Sequence, residues 1–144
     1  MITANNLMNY SIIIPAYNEE SFIGGVIDTL LAGMRQTSDF VGEIIVVDNN
    51  STDQTAKLAE SKGVRVVFEP INQISRARNT GSKEANGEYL IFVDADTRIS
   101  QELLNLSLQR LKQEKCGGGG ATIVFDTNQN QIFLGSFLPL LWSW

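Results

Sequence analysis

The run Tyr89-Leu90-Ile91-Phe92-Val93-Asp94-Ala95-Asp96 constrains the fold more than any other stretch of the chain. Apolar and aromatic side chains continue without a break and then meet two carboxylates separated by one alanine. An unbroken run of this kind suits a strand buried on both faces, as in a parallel sheet covered by helices. Ligands of open α/β sheets bind at the carboxyl ends of strands, where Asp94 and Asp96 are expected to emerge. Residues i and i+2 of an extended segment project to the same side, so the two carboxylates can share one divalent cation. The plainer alternative is that Asp-Ala-Asp-Thr is only a polar turn closing a strand.

The pattern recurs upstream. Tyr10 to Pro15 is a β-branched run stopped by proline, and Glu43 to Val47 is a second apolar run ending in Asp48-Asn49-Asn50-Ser51. Val64 to Phe68 reads as a third strand. Between them Ile23, Val26, Ile27, Leu30, Leu31 and Met34 recur at helical spacing. Ser51 and Gln54 have capping-box spacing, predicting a helix from Thr52 to Lys62 closed by Gly63. A basic stretch from Asn72 to Asn86 contains a further helix ending near Gly87. Ser100 is expected to cap a helix that buries Leu103, Leu104, Leu108 and Leu111. Four glycines, Gly117 to Gly120, then lead into a strand-like Ala121 to Phe125. This β-α alternation predicts one doubly wound, mostly parallel α/β domain over 1–144 with helices on both faces.

Composition excludes several functions. The chain has 144 residues and a net charge of −5, which disfavours nucleic acid and anionic membranes as partners. It has no histidine, so His-based metal sites, triads and general bases are excluded within it. Its one cysteine, Cys116, precludes an internal disulfide and points to a reducing, cytoplasmic setting. No secretory signal or membrane-length apolar run is evident, leaving at most a peripheral membrane association. The first loop, Pro15-Ala16-Tyr17-Asn18-Glu19-Glu20, lacks the G-x-G-x-x-G of dinucleotide-binding domains, and no G-K-S/T of a P-loop occurs.

Four motifs in order nevertheless resemble a known family. Ile13 to Glu20, Ile45 to Asp53, Ala77-Arg78-Asn79-Thr80-Gly81 and Phe92 to Asp96 are together similar to the family 2 glycosyltransferases. The resemblance implies a GT-A-type, Rossmann-like fold and a nucleotide-diphosphate sugar donor. By that resemblance Asp96 is a direct metal ligand, and Asp94, with Ala95 between them, contacts the ribose or the metal shell. Oxygen ligands suit Mn²⁺ or Mg²⁺. Pro15, Ala16, Tyr17 and Glu19 match the loop around base and ribose, although Glu19 also suits a plain position near a helix N-terminus. Asp48 matches the residue that reads the imide edge of uracil, which favours a UDP-sugar; a carboxylate there also accepts from guanine. Asn50 is a further donor-site candidate, while Ser51 and Asp53 are accounted for by helix capping. Arg78 matches a basic residue near the base and diphosphate, with Arg76 a solvated charge and Glu20 facing solvent. Asn79 and Gly81 read as packing positions.

The resemblance thins after Asp96. The remaining carboxylates are Glu102, Glu114 and Asp126, and no acidic pair or Q-x-x-R-W-like segment follows, so no catalytic base is assigned. The uncharged end, Ile132 to Trp144, is too short to span a membrane, and a missing C-terminal half or a second copy is expected to cover it. The expectation is the donor-binding portion of a C-terminally truncated, metal-dependent, inverting transferase, with residues 97–144 opening an acceptor-side region for a saccharide or lipid. The alternatives are a non-catalytic nucleotide-sugar-binding module and, further off, a sugar nucleotidyltransferase.

Overall fold

A computed structural model describes residues 8–36, 39–113, 118–121 and 137–138. Its elements alternate: β1 (Met8–Ala16), α1 (Ile23–Met34), β2 (Phe40–Asp48), α2 (Thr55–Ser61), β3 (Arg65–Phe68), α3 (Ile74–Glu84), β4 (Tyr89–Phe92) and α4 (Gln101–Lys112). The four strands form one parallel sheet in the order β3-β2-β1-β4. Two short strands, β5 (Gly120–Ala121) and β6 (Phe137–Leu138), pair antiparallel in a second sheet. The expected α/β architecture is observed.

The strand order divides the helices between two faces. Moving from β1 to β2 to β3 runs one way across the sheet, and returning to β4 beyond β1 runs the other. Right-handed crossovers therefore put α1 and α2 on one face and α3 on the opposite one. The core follows this division. Ile12, Ile14, Val46 and Ala59 pack with Val26, Ile27, Leu104 and Leu108 on the α1 side. Ile13, Ile45, Val47 and Ala77 form a smaller cluster beneath α3. A Cβ at Gly81 would stand 2.4 Å from Ile13 Cγ2 and 2.9 Å from Val47 Cγ2, so only glycine lets α3 lie this close to the sheet. Gly81 is a packing position, as expected; Asn79 is exposed and is not one.

Several boundaries differ from the sequence reading for identifiable reasons. The strand β4 is not buried on both faces: Leu90 and Phe92 are 40% and 44% exposed. They pair with Ser11 and Ile13 on the face where α3 packs, and the helix rests mainly on β1 and β2 rather than on the outer strand. Helix α2 begins at Thr55 rather than Thr52, and its N-cap, Gln54, makes no side-chain cap. The Ser51 hydroxyl is drawn instead into a bond with the first loop. Gly63 does close α2, at φ +74°. Ser100 caps α4, its Oγ accepting from the Leu103 N–H at 3.1 Å. The readings placed on Glu114, Cys116, Gly117, Thr122 to Phe125, Asp126 and most of the apolar end lie outside the described residues.

Candidate functional site

The reversal of direction at β1 makes the gap between the carboxyl ends of β1 and β4 the topological switch point, the usual ligand site of an open α/β sheet. Pro15 opens this gap. It does not end β1, which continues through it to Ala16. The Val93 N–H donates to the Ile13 carbonyl at 3.0 Å, so the next rung of a parallel ladder would run from residue 15 to the Val93 carbonyl. Proline has no N–H to supply it. The chain after Val93 therefore peels away from β1 and carries Asp94 and Asp96 along the crevice.

The segment that follows keeps a strand-like alternation of burial. Val93 and Ala95 are buried in the core, and Asp94 and Asp96 are exposed. Ala95 thus anchors the segment while both carboxylates face solvent on one side, as the i, i+2 spacing predicts. The Thr97 N–H closes a turn onto the Asp94 carbonyl at 3.0 Å, and the Thr97 hydroxyl lies 3.3 Å from Asp96 Oδ1. Arg78 reaches over from α3, its Nη2 donating to Asp94 Oδ1 at 2.9 Å. Among the described residues no group of three or more acidic or sulfur ligands gathers around a point. The donors available to a cation here are two hard carboxylates, which suit Mg²⁺ or Mn²⁺ if phosphate oxygens and water complete the shell.

The first loop forms the opposite wall. Tyr17 is 45% exposed, leaving its ring accessible. Glu19 is half-buried, and its carbonyl receives the N–H groups of Phe22 and Ile23 at the start of α1. Burial, with the negative charges of Asp96 and Asp53, pushes its carboxyl above the usual range. Glu19 and Asp96 therefore lie near enough for their like charges to repel.

This loop is zipped to the loop after β2. Asn18, at φ +54°, accepts the Thr52 N–H on its Oδ1 at 2.8 Å and donates its own N–H to Ser51 Oγ at 3.0 Å. Glu19 and Glu20 donate their N–H groups to Thr55 Oγ1 at 2.8 Å and Asp53 Oδ2 at 3.2 Å. The Glu20 carboxylate, though exposed, accepts the Gln54 N–H at 3.0 Å. Asp53 also accepts from Thr55, so it serves both the helix start and the zipper. Asp48 is buried at the end of β2, where its Oδ1 accepts the Ser51 N–H at 3.1 Å. Asn50 follows at φ +64° and is exposed.

Two residues not singled out from sequence hold the third loop. Asn49 is buried, donating from Nδ2 to the carbonyls of Ile71 (2.6 Å) and Glu69 (3.2 Å) and accepting the Gln73 N–H at 2.9 Å. Glu69 is buried as well, accepting from Thr80 (2.7 Å) and the Ile71 N–H (3.0 Å). The Thr80 hydroxyl, with that N–H, holds the Glu69 carboxyl below the usual range. Arg76 is not simply solvated, since its Nε lies 3.7 Å from Glu69 Oε1. No local pattern marks such a stitch, because the backbone groups that Asn49 holds lie 20 to 24 residues along the chain. A cavity of about 320 Å³ bordered by Leu31, Gly42, Glu43, Val64 and Arg65 lies away from this carboxyl edge.

The site thus gathers Tyr17, Glu19, Asn50, Asp94 and Asp96 from loops, Asp48 from the end of β2 and Arg78 from α3 at one edge of the sheet, with Pro15 and Ala16 buried beneath. The family model for Glycosyl transferase family 2 matches residues 11–141. The chain belongs to glycosyl transferase family 2. It is 40% identical over 109 residues to the uncharacterized glycosyltransferase EpsJ of Bacillus subtilis, a match that covers 72% of this chain and 29% of the relative. Among solved structures, S. aureus TarS 1–349 in complex with UDP-GlcNAc superposes with a TM-score of 0.62 at 33% identity, over 74% of this chain and 32% of that one. Glucosyl-3-phosphoglycerate synthase from Mycobacterium tuberculosis, in complex with Mn²⁺, UDP and glucosyl-3-phosphoglycerate, gives a TM-score of 0.60 at 28% identity. That match covers 72% of this chain and 39% of the synthase. The fold is that of the GT-A glycosyltransferases, and the chain spans about a third of the length of these relatives. Among the described residues no helix is long and apolar enough to cross a membrane.

Proposed function

We propose that this chain is the donor-binding portion of a metal-dependent, inverting glycosyltransferase that uses a UDP-sugar. The observation that carries the reading is the exposed Asp94–Asp96 pair at the switch point, with Arg78 on one side and Glu19 on the other. Two relatives of the same fold are complexed with UDP-GlcNAc, or with UDP and Mn²⁺, which supports the donor and ion classes.

In this reading Asp96 and Asp94 hold Mn²⁺ or Mg²⁺, and such an ion supplies charge neutralisation for the diphosphate leaving group without proton transfer. Tyr17 offers a face to the base, Glu19 accepts from a ribose hydroxyl, and Asp48 accepts from the N–H of uracil through the carboxylate oxygen that Ser51 leaves over. Pro15 and Ala16 shape the floor beneath the base, and Asn50 and Ala95 bring backbone to the ligand. Residues 97–144 begin the acceptor side, for a saccharide or lipid.

A second reading is a nucleotide-sugar-binding module without chemistry. One observation favours it. Glu102, the one carboxylate after Asp96 among the described residues, is exposed in the first turn of α4 and makes no ion pair with Arg78 among them. Titration with UDP, GDP and CDP, with and without Mn²⁺, tests the shared donor site. Release of free sugar from a UDP-sugar separates the two readings, since the module binds without turnover.

A further inference from the structure

We infer that Arg78 is a resident counter-cation of the Asp94–Asp96 pair, holding Asp94 against a lone divalent ion until a diphosphate draws the guanidinium away. The inference rests on the donor-site reading above and adds an order to it: ion and nucleotide enter together, and the ion alone binds poorly.

The charges around the pair are divided unevenly. Arg78 Nη2 donates to Asp94 Oδ1 at 2.9 Å, and neither Asp94 nor Asp96 makes another ion pair among the described residues. Among the described residues Asp96 receives only the Thr97 hydroxyl, at 3.3 Å, and has no cation beside it. Asp94 is therefore the neutralised member and Asp96 the uncompensated one. A cation that bridges the two must displace the guanidinium or share Asp94 with it, and a dication a few ångströms from a guanidinium is repelled.

The guanidinium is also poorly satisfied where it stands. Its Nε is buried with no hydrogen-bond partner among the described residues, and Nη2 makes a single bond. A guanidinium fits the paired oxygens of a phosphate better than one carboxylate oxygen. The pair is exposed, with Arg78 at 44% and Asp94 at 49%, and ion pairs of this exposure are weak. A diphosphate arriving with its ion can therefore exchange partners cheaply: Arg78 turns to phosphate, and Asp94 is freed for the metal.

The test is Mn²⁺ binding to the 144-residue chain without nucleotide, read from the electron paramagnetic resonance signal of free Mn²⁺. Wild type, Arg78→Gln, Arg78→Lys, Asp96→Asn and Lys57→Gln are compared, with folding checked by circular dichroism. Lys57, exposed on α2, controls for net charge. Arg78→Gln is expected to tighten Mn²⁺ about three- to tenfold while weakening UDP about tenfold. Arg78→Lys and Lys57→Gln should stay within about twofold of wild type for Mn²⁺. Unchanged or weaker Mn²⁺ binding in Arg78→Gln, with binding still lost in Asp96→Asn, overturns the inference and leaves the metal site standing. Mn²⁺ binding absent from wild type and Arg78→Gln alike overturns both.

Discussion

The side-chain oxygen of Asn18 accepts the backbone N–H of Thr52 at 2.8 Å, joining the loop after β1 to the loop after β2. Asn18 adopts φ +54° to do so, in the left-handed region that asparagine tolerates and alanine resists. Asn18→Ala should lose the bond and strain the backbone, destabilising by about 2–3 kcal/mol. Asn18→Gly loses only the bond, at about 1 kcal/mol. Urea unfolding of the two variants checks the order, and equal losses would show that the positive φ carries no strain.

Asn49 holds three backbone groups of the loop that leads into α3. Removing it leaves those groups buried and unpaired, so Asn49→Ala should cost about 3 kcal/mol. Asn49→Asp has nearly the same shape but sets a carboxylate against the carbonyls of Glu69 and Ile71. It should be at least as unstable at pH 7 and recover part of the loss on acidification, which urea midpoints at the two pH values would show.

Gly81→Ala sets two effects against each other. Alanine gains about 1 kcal/mol of helix propensity over glycine. Its Cβ would meet Ile13 Cγ2 at 2.4 Å and Val47 Cγ2 at 2.9 Å, and overpacking of that kind costs about 1–3 kcal/mol or more. The neighbours are β-branched core residues that cannot swing aside, so the clash wins. Thermal unfolding should fall, and nucleotide affinity should fall with it because α3 carries Arg78.

Two carboxyls give opposite responses to pH. Glu69 is held low by the hydrogen bonds of Thr80 and the Ile71 N–H, so its stabilisation is present above the ordinary carboxylate value and is lost as pH falls below about 4. Glu19 is held high by burial and by Asp96 and Asp53, so its ionisation opposes folding as pH rises from about 4 towards its elevated value. Glu19→Gln should raise the unfolding midpoint at pH 7 and lose that advantage at pH 4. Glu69→Gln should lower the midpoint at pH 7 and flatten the acid limb.

The strands were legible as apolar runs that end in polar loops, and α1 from the helical spacing of Ile23 to Met34. The face of β4 was misread because a run such as Tyr89 to Val93 cannot say whether a helix reaches both of its sides; that depends on where α3 lies across the sheet. The shared exposed side of Asp94 and Asp96 was readable from spacing, since i, i+2 on an extended segment needs no tertiary information. The Ser51 reading failed because its hydroxyl had a competitor: capping α2 and bonding the Asn18 N–H are both local options, and only the approach of the first loop selects the second. Asn49 was missed for the same reason, since its partners lie 20 to 24 residues along the chain; Glu69 has nearer partners, Ile71 and Thr80, that meet only once the third loop has folded back onto α3. Pro15 is the reverse case. Its sequence signal was read as a strand end, whereas its missing N–H ends a pairing on one side only.

The most direct test of the account is calorimetric titration of the chain with UDP, with and without Mn²⁺, repeated on Asp96→Asn. The account predicts that UDP binds wild type with Mn²⁺ at least tenfold more tightly than without it, and that Asp96→Asn, still folded, loses this gain. UDP binding that is indifferent to Mn²⁺, or unchanged in Asp96→Asn, would contradict the assignment of the Asp94–Asp96 pair as the metal-bearing heart of a donor site.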